Sequence, residues 1–227
     1  MAVILSLETS TDVCSVALHD RNRLLASEEV HEPQSHGSQL GPMVDRVVRS
    51  AFLKLKDIRA VAISHGPGSY TGLRIGTSTA KGLCYALEIP LISVGTLELL
   101  AFQASPLNTS GSLLCPMLDA RRMEVYCLIS DPALNLVEPV SAKVIDQNSF
   151  SELLEHNRVL FFGNGAEKCK QVITHPNAAF LDGIFPSASA LGVIAAGKFQ
   201  RKEFEDLVHF QPFYLKEFVA KKSGTSI

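Results

Sequence analysis

The sequence predicts a two-lobed α/β protein in which each lobe is a mixed sheet with flanking helices. The chain opens with three strand-like runs in succession, helix and strand then alternate up to residue 104, and the second half repeats this order in shortened form. The size fits, because 227 residues, 46% of them hydrophobic and 19% charged, bury one large core or two small lobes.

Residues 2–8 (AVILSLE) and 13–19 (VCSVALH) read as strands joined by a polar turn at 9–12. Asn22 to Val30 adds a third after the Asp20-Arg21-Asn22 turn, completing an antiparallel meander. The period then changes. Leu40, Met43, Val44, Val47, Val48, Ala51 and Phe52 recur at three- and four-residue steps with Asp45, Arg46, Arg49 and Ser50 between them, an amphipathic helix over about 38–52. Pro42 is expected in its first turn, where a missing N–H is tolerated. Ile58 to Ser64 is a fourth strand, GPGSYTG a turn, and a helix runs from about Thr71 to Leu87. Pro90 to Val94 is a short fifth strand, and Thr96 is expected to cap a helix to about Gln103. These elements fill a first lobe, 1–104.

The polar stretch Ala104 to Gly111 (ASPLNTSG) marks the boundary to a smaller lobe, 105–227. That lobe is expected to hold strands at 113–119, 122–130 and 135–144, a helix after Ser149, and a strand at 158–162 ending in GNGAEK. Another helix should follow, then a long one from Pro186-Ser187 to about Gln200, and a frayed tail from Phe218. The shared order hints at internal duplication.

Composition narrows the function. A net charge of −2 and a pI near 6.4 leave no basic footprint, so any RNA contact is local or shared with a partner. Five widely spaced cysteines without a C-x-x-C, three of them in apolar runs (Cys14, Cys115, Cys127), read as reduced core residues. The opening MAVILSLETST lacks a basic stretch and turns polar at Glu8, so it reads as a first strand and not a signal peptide; no run reaches the ~20 apolar residues of a membrane span. The expected location is the cytoplasm.

The segment GPGSYTGLRIGTSTAKGL (66–83) is the most informative. Gly66, Pro67 and Gly68 turn the chain between strand and helix, and backbone N–H groups at such a helix start can hold an anion, which makes Gly66, Gly68 and Ser69 a candidate anion loop. It is neither a Walker A loop nor G-x-G-x-x-G, since no G-K-[ST] closes it, and a plain structural turn is the better reading of these residues. Within the helix, Gly72, Gly76 and Ala80 lie on one face. Glycine there costs about 1 kcal/mol relative to alanine, so another backbone must approach closely, either the chain's own sheet or a partner helix.

The motifs LETSTDVCSVAL, GPGSYTGLRIGTSTAKGL, PLISVGTLELLA, LDARRMEVY (118–126) and PFYLKE (212–217) resemble, in order and spacing over nearly the whole chain, the TsaB (YeaZ) family, which serves the threonylcarbamoyl modification of adenosine beside the tRNA anticodon. The stretch 131–185 carries little of the likeness beyond GNGAEK. The resemblance implies an actin-like/ribonuclease H-like (ASKHA) fold and a degenerate paralogue of the catalytic subunit TsaD. TsaD carries two metal-binding histidines four residues apart on the helix after the fifth strand; Thr96 and Leu100 stand there instead. Neither metal nor cofactor is therefore expected, nor any catalytic residue. His31, His36, His65, His19, His156, His175 and His209 are too scattered to restore a site.

The resemblance further implies that Leu40, Met43 and Val47 on the first helix, with Gly72, Arg74, Ile75, Gly76, Thr79 and Ala80 on the second, pair with matching helices of a TsaD-like subunit. The same surface implies a homodimer when that subunit is absent, and the pair is expected to dock a TsaE-like ATPase. tRNA is expected to be met only through the complex, and no membrane is involved. Asp119, Arg121 and Glu124 form a signature at a strand-turn-strand, with an Asp–Arg pair bracing the hinge between lobes as the leading account and a partner or tRNA contact as the second. Glu8 sits where ATPases of this fold carry an aspartate, but Thr9, Ser10 and Thr11 replace the glycine that lets phosphate approach. An active ATPase or small-molecule kinase of the same fold is the alternative, and a metalloprotease a weaker one.

Overall fold

The computed structural model describes residues 2–216. The expectation for the tail from Phe218 lies outside the described residues. Strands β1 (Val3–Glu8), β2 (Cys14–Asp20) and β3 (Arg23–Val30) form the meander, followed by α1 (His36–Ser50), β4 (Ile58–Ser64), α2 (Tyr70–Leu87), β5 (Leu91–Val94) and α3 (Thr96–Ala104). The second half gives β6 (Leu113–Asp119), β7 (Glu124–Ser130), β8 (Leu136–Val144), α4 (Ser151–His156), β9 (Val159–Phe162), β10 (Ala178–Leu181) and α5 (Ala188–Arg201).

Two five-stranded mixed sheets result, with orders β3-β2-β1-β4-β5 and β8-β7-β6-β9-β10. In each, the first strand pairs antiparallel with the second and parallel with the fourth (β1 with β2 and β4; β6 with β7 and β9). The two sheets thus share one topology, the actin-like/ribonuclease H-like arrangement.

Period-2 alternation sends the two faces of β1 into different cores. Val3, Leu5 and Leu7 pack with α1 and α2 through Leu40, Met43, Val47 and Ala80, whereas Ile4, with Ala60 and Ala62 of β4, packs against Leu191, Ala195 and Ala196 of α5. The second sheet has its own core around Cys115, Met117, Phe150 and Phe161. On that sheet's other face, α3 inserts Leu97, Leu100 and Ala104 against Leu114, Leu118 and Phe162, joining the halves. All five cysteines are free and buried.

Four expectations need correction. The chain does not divide at residue 104 into two contiguous lobes, because α5 returns to cover the second face of the first sheet, and 205–216 follows it: Glu205 N–H bonds Leu91 O (2.9 Å), and Lys81 Nζ bonds Val208 O and Phe210 O (3.2 and 3.1 Å). Helix α1 begins at His36, so Pro42 lies inside it, on an exposed side where water can serve the freed Ser38 carbonyl. Thr96 is the first residue of α3 and Gly95 its cap, with Glu98 accepting the Gly95 N–H (3.4 Å). In place of a helix, GNGAEK ends in a single 3-10 turn, Glu167–Cys169, and β10 follows as a four-residue parallel edge strand too short to show a period.

Candidate functional site

Two surfaces hold the residues singled out in the sequence. The first is a polar cleft of about 600 Å³ at the strand ends. One wall is the loop after β1 and the start of α2. Here the chain is packed backbone to backbone: Ser69 N–H donates to Ser10 O (2.7 Å), the Ser69 hydroxyl accepts the Gly72 N–H (3.3 Å), and Thr9 Oγ1 donates to Gly72 O (2.9 Å). A Cβ on Gly68 would enter the Ser10 carbonyl, one on Gly72 the Thr9 carbonyl, and one on Gly76 the Thr9 hydroxyl. The glycine face of α2 therefore serves the chain's own β1 loop, which decides between the two readings left open above.

Gly68 and Ser69 line the cleft, but Gly66 does not. Gly66 has φ +116°, open to glycine at no steric cost, and faces Phe213 O. Phe213 N–H in turn bonds His65 O (2.8 Å). The candidate anion loop is thus backed by the C-terminal segment. Beneath it Glu8 is fully buried. It accepts the Ser10 N–H (2.6 Å), and burial pushes its carboxyl above the usual range despite that bond.

The opposite wall is the β6–β7 turn. Arg121 (φ +69°) and Arg122 (φ +48°) are consecutive left-handed residues, a conformation costing roughly 1–2 kcal/mol each for a side chain with a Cβ. The turn is held by Lys168, whose ammonium bonds Asp119 Oδ1 (2.5 Å), Arg122 O (2.7 Å) and Glu124 O (2.6 Å), while Asp119 also accepts the Arg121 N–H (2.9 Å). The expected Asp119–Arg121 brace is therefore replaced by Asp119–Lys168, within one half. Glu124 adds an ion pair between halves, with Lys216 at the end of the segment bound to the first sheet. Lys168 was missed because it lies 49 residues from Asp119; its only sequence signal was GNGAEK.

That motif has a structural counterpart. Gly163 (φ +95°) and Gly165 follow β9 as Gly66 and Gly68 follow β4. A Cβ on Gly165 would meet Leu118 at 2.7 Å, as one on Gly68 would meet Ser10.

The second surface is the outer side of α1 and α2. Leu40, Met43, Val47, Gly72, Gly76 and Ala80 are buried within the chain, which removes them from any partner surface. Arg74 is exposed, and Ile75 and Thr79 are half-buried. Between the helices runs an apolar groove of about 390 Å³ lined by Gly41, Val44, Val48, Leu53, Thr79 and Leu83. Phe52, adjacent in sequence to Leu53, is 97% exposed, and Tyr85 of α2 is 82% exposed. Gly41 and Gly82 lie inside α1 and α2 with nothing of this chain within 4 Å of a Cβ.

On α3, Thr96 and Leu100 are fully buried, Leu100 in the core shared with the second sheet. Among the described residues no three His, Cys, Asp or Glu side chains group as metal ligands, and no helix is long and apolar enough to cross a membrane.

The profile of the family TsaD, tRNA N6-adenosine threonylcarbamoyltransferase, matches residues 25–226. The tRNA threonylcarbamoyladenosine biosynthesis protein TsaB of Escherichia coli is 31% identical over 227 residues, covering 96% of each chain. Two solved structures from Pseudomonas aeruginosa are each 28% identical, covering 95% of this chain and all of theirs. One is of a protein with similarity to peptidase YeaZ (TM-score 0.82), the other of YeaZ (TM-score 0.76).

Proposed function

The chain belongs to the TsaB (YeaZ) family of tRNA threonylcarbamoyladenosine biosynthesis proteins, and from that premise we propose that it is a non-catalytic subunit that binds and stabilises a TsaD-like catalytic partner. The observation carrying this reading is the outer side of α1 and α2. The apolar groove, together with the exposed aromatics Phe52 and Tyr85 elsewhere on these elements, offers an association surface. Gly41 and Gly82 each cost about 1 kcal/mol in a helix, and nothing inside the chain uses the space they leave. A close-approaching helix from another molecule would use it. In the partner's absence a second copy of this chain would occupy the same face as a homodimer.

The partner holds the reacting groups, the paired subunits offer a docking surface to a TsaE-like ATPase, and tRNA is engaged by the assembled complex in the cytoplasm. Leu100, packed in the core where the catalytic relative has a metal-binding histidine, supports a role without chemistry of its own.

Co-purification with the TsaD-like subunit tests the reading. Gly82→Arg should fold at least as well as the parent and lose the partner. A Gly82→Arg chain that retains full partner affinity rules out this face. Gly76→Glu is unsuited to the purpose, because its side chain would strike Thr9 and Ile63 inside the fold.

A further inference from the structure

The cleft is lined by an aromatic and cationic set that the partner-subunit reading leaves unused. Three of the chain's four tyrosines, Tyr70, Tyr126 and Tyr214, line it. Tyr70 and Tyr214 lie with centroids 5.0 Å apart, and the Arg74 guanidinium sits 5.4 Å over the Tyr70 ring. Tyr126 is half-buried and stacks on no other ring among the described residues.

The charges are equally uneven. Asp119 is taken by Lys168 and Glu124 by Lys216. Arg121 and Arg122 are exposed on the lip and form no ion pair among the described residues; the unpaired acid on the cleft is Asp12. Arg121 and Arg122 line the cleft together with the start of α2, whose positive dipole end favours an anion although the Ser69 and Gly72 N–H groups are already bonded within the chain.

We propose that this cleft binds a nucleotide of single-stranded RNA, the base against Tyr126 and the phosphates between Arg121, Arg122 and the Ser69–Thr71 turn. Unstacked bases on aromatic side chains with phosphates on arginine are how proteins read RNA loops. A volume of about 600 Å³ suits one extruded nucleotide and no duplex. The net charge of −2 is no objection, since the contact is local. RNA, rather than a free nucleotide, is chosen because the family modifies tRNA. The inference rests on the pathway reading only in that choice, and places part of the RNA contact on this chain itself.

The test uses the full chain without its partner, so its failure is separate from failure of the helix-face reading. Binding of a fluorescent RNA hairpin with a single-stranded loop is measured by anisotropy across a salt series. Tyr126→Ala should weaken binding about tenfold, the loss of one stacked base. Arg121→Glu with Arg122→Glu should weaken it further and reduce the slope of log K against log salt by about 1.4, two single-strand phosphates. Asp12→Lys should tighten binding, a gain that misfolding cannot mimic. No saturable binding, equal binding of blunt duplex, or unchanged affinity in all three variants would each overturn the proposal. So would adenosine monophosphate occupying the cleft while RNA binding stays intact.

Discussion

In the first sheet the parallel pair β1–β4 leads into the 18-residue helix α2, whereas the corresponding pair β6–β9 leads into a 3-10 turn of three residues. The connection between third and fourth strands shows the same contrast, with 15 residues in α1 and six in α4. Strand order is common to both halves, and so is the glycine pair after the fourth strand. The long amphipathic helices, by contrast, belong to the first half alone. Sheet topology is fixed by backbone pairing, which tolerates little change, while helices on a sheet's outer face can shrink if another element covers the exposed strands. The half with the long helices has the free apolar groove; the half with the short ones has the arginine turn.

The comparison also separates two fates of the first strand's last residue. Glu8 ends β1 and is buried with its Oε2 unpartnered, whereas Asp119 ends β6 at the surface and holds Lys168. One is a desolvated group kept by a backbone bond; the other is part of a clamp on the opposing turn.

If the two glycine turns are equivalent, breaking either should be similarly severe. Gly68→Val and Gly165→Val each drive a side chain into backbone, and each should cost upwards of about 4 kcal/mol or leave no folded protein in chemical denaturation. A mild effect at Gly165 alone would dissolve the equivalence. Next in size is Lys168→Met. It leaves the Asp119 carboxylate and two carbonyls without their donor, and should destabilise by about 1–3 kcal/mol while loosening amide exchange in the β6–β7 turn.

Glu8→Gln sharpens the contrast through its pH dependence. Burial raises the folded pKa of Glu8 above its unfolded value, so its stabilising contribution is present below the unfolded pKa and lost as pH rises through the folded one. The variant keeps an acceptor for the Ser10 N–H and carries no charge. It should melt higher than the parent at pH 8, with the advantage fading towards pH 4.5; a constant difference would contradict the burial account. The smallest effect is expected at Gly82→Ala, which touches nothing in the chain and should gain about 1 kcal/mol. Gly72→Ala, on the same helix, should lose stability against the Thr9 carbonyl.

Much of this was legible in order along the chain. The βββαβαβα opening follows from apolar period alone, because β1 and α1 each bury a regular face. Thr96 and Leu100 were readable as non-ligands because a side chain's donor chemistry is local to the residue. The anion loop was only partly legible: Gly68 and Ser69 face the cleft, but Gly66 is turned to Phe213, a residue far along the chain.

The sequence by itself determined the strand and helix order as far as β9, the glycine turn and the family. Only the tertiary structure decided which side of α2 is inside. Helical spacing puts Gly72, Gly76 and Ala80 on one face whatever lies opposite. Thr9, brought there by the β1–β4 register, occupies that space and leaves Gly82 and the groove as the open side. The same holds for Lys168 on the arginine turn and for α5 on the first sheet. These contacts join residues distant in sequence, and no local period or spacing records a long-range pairing.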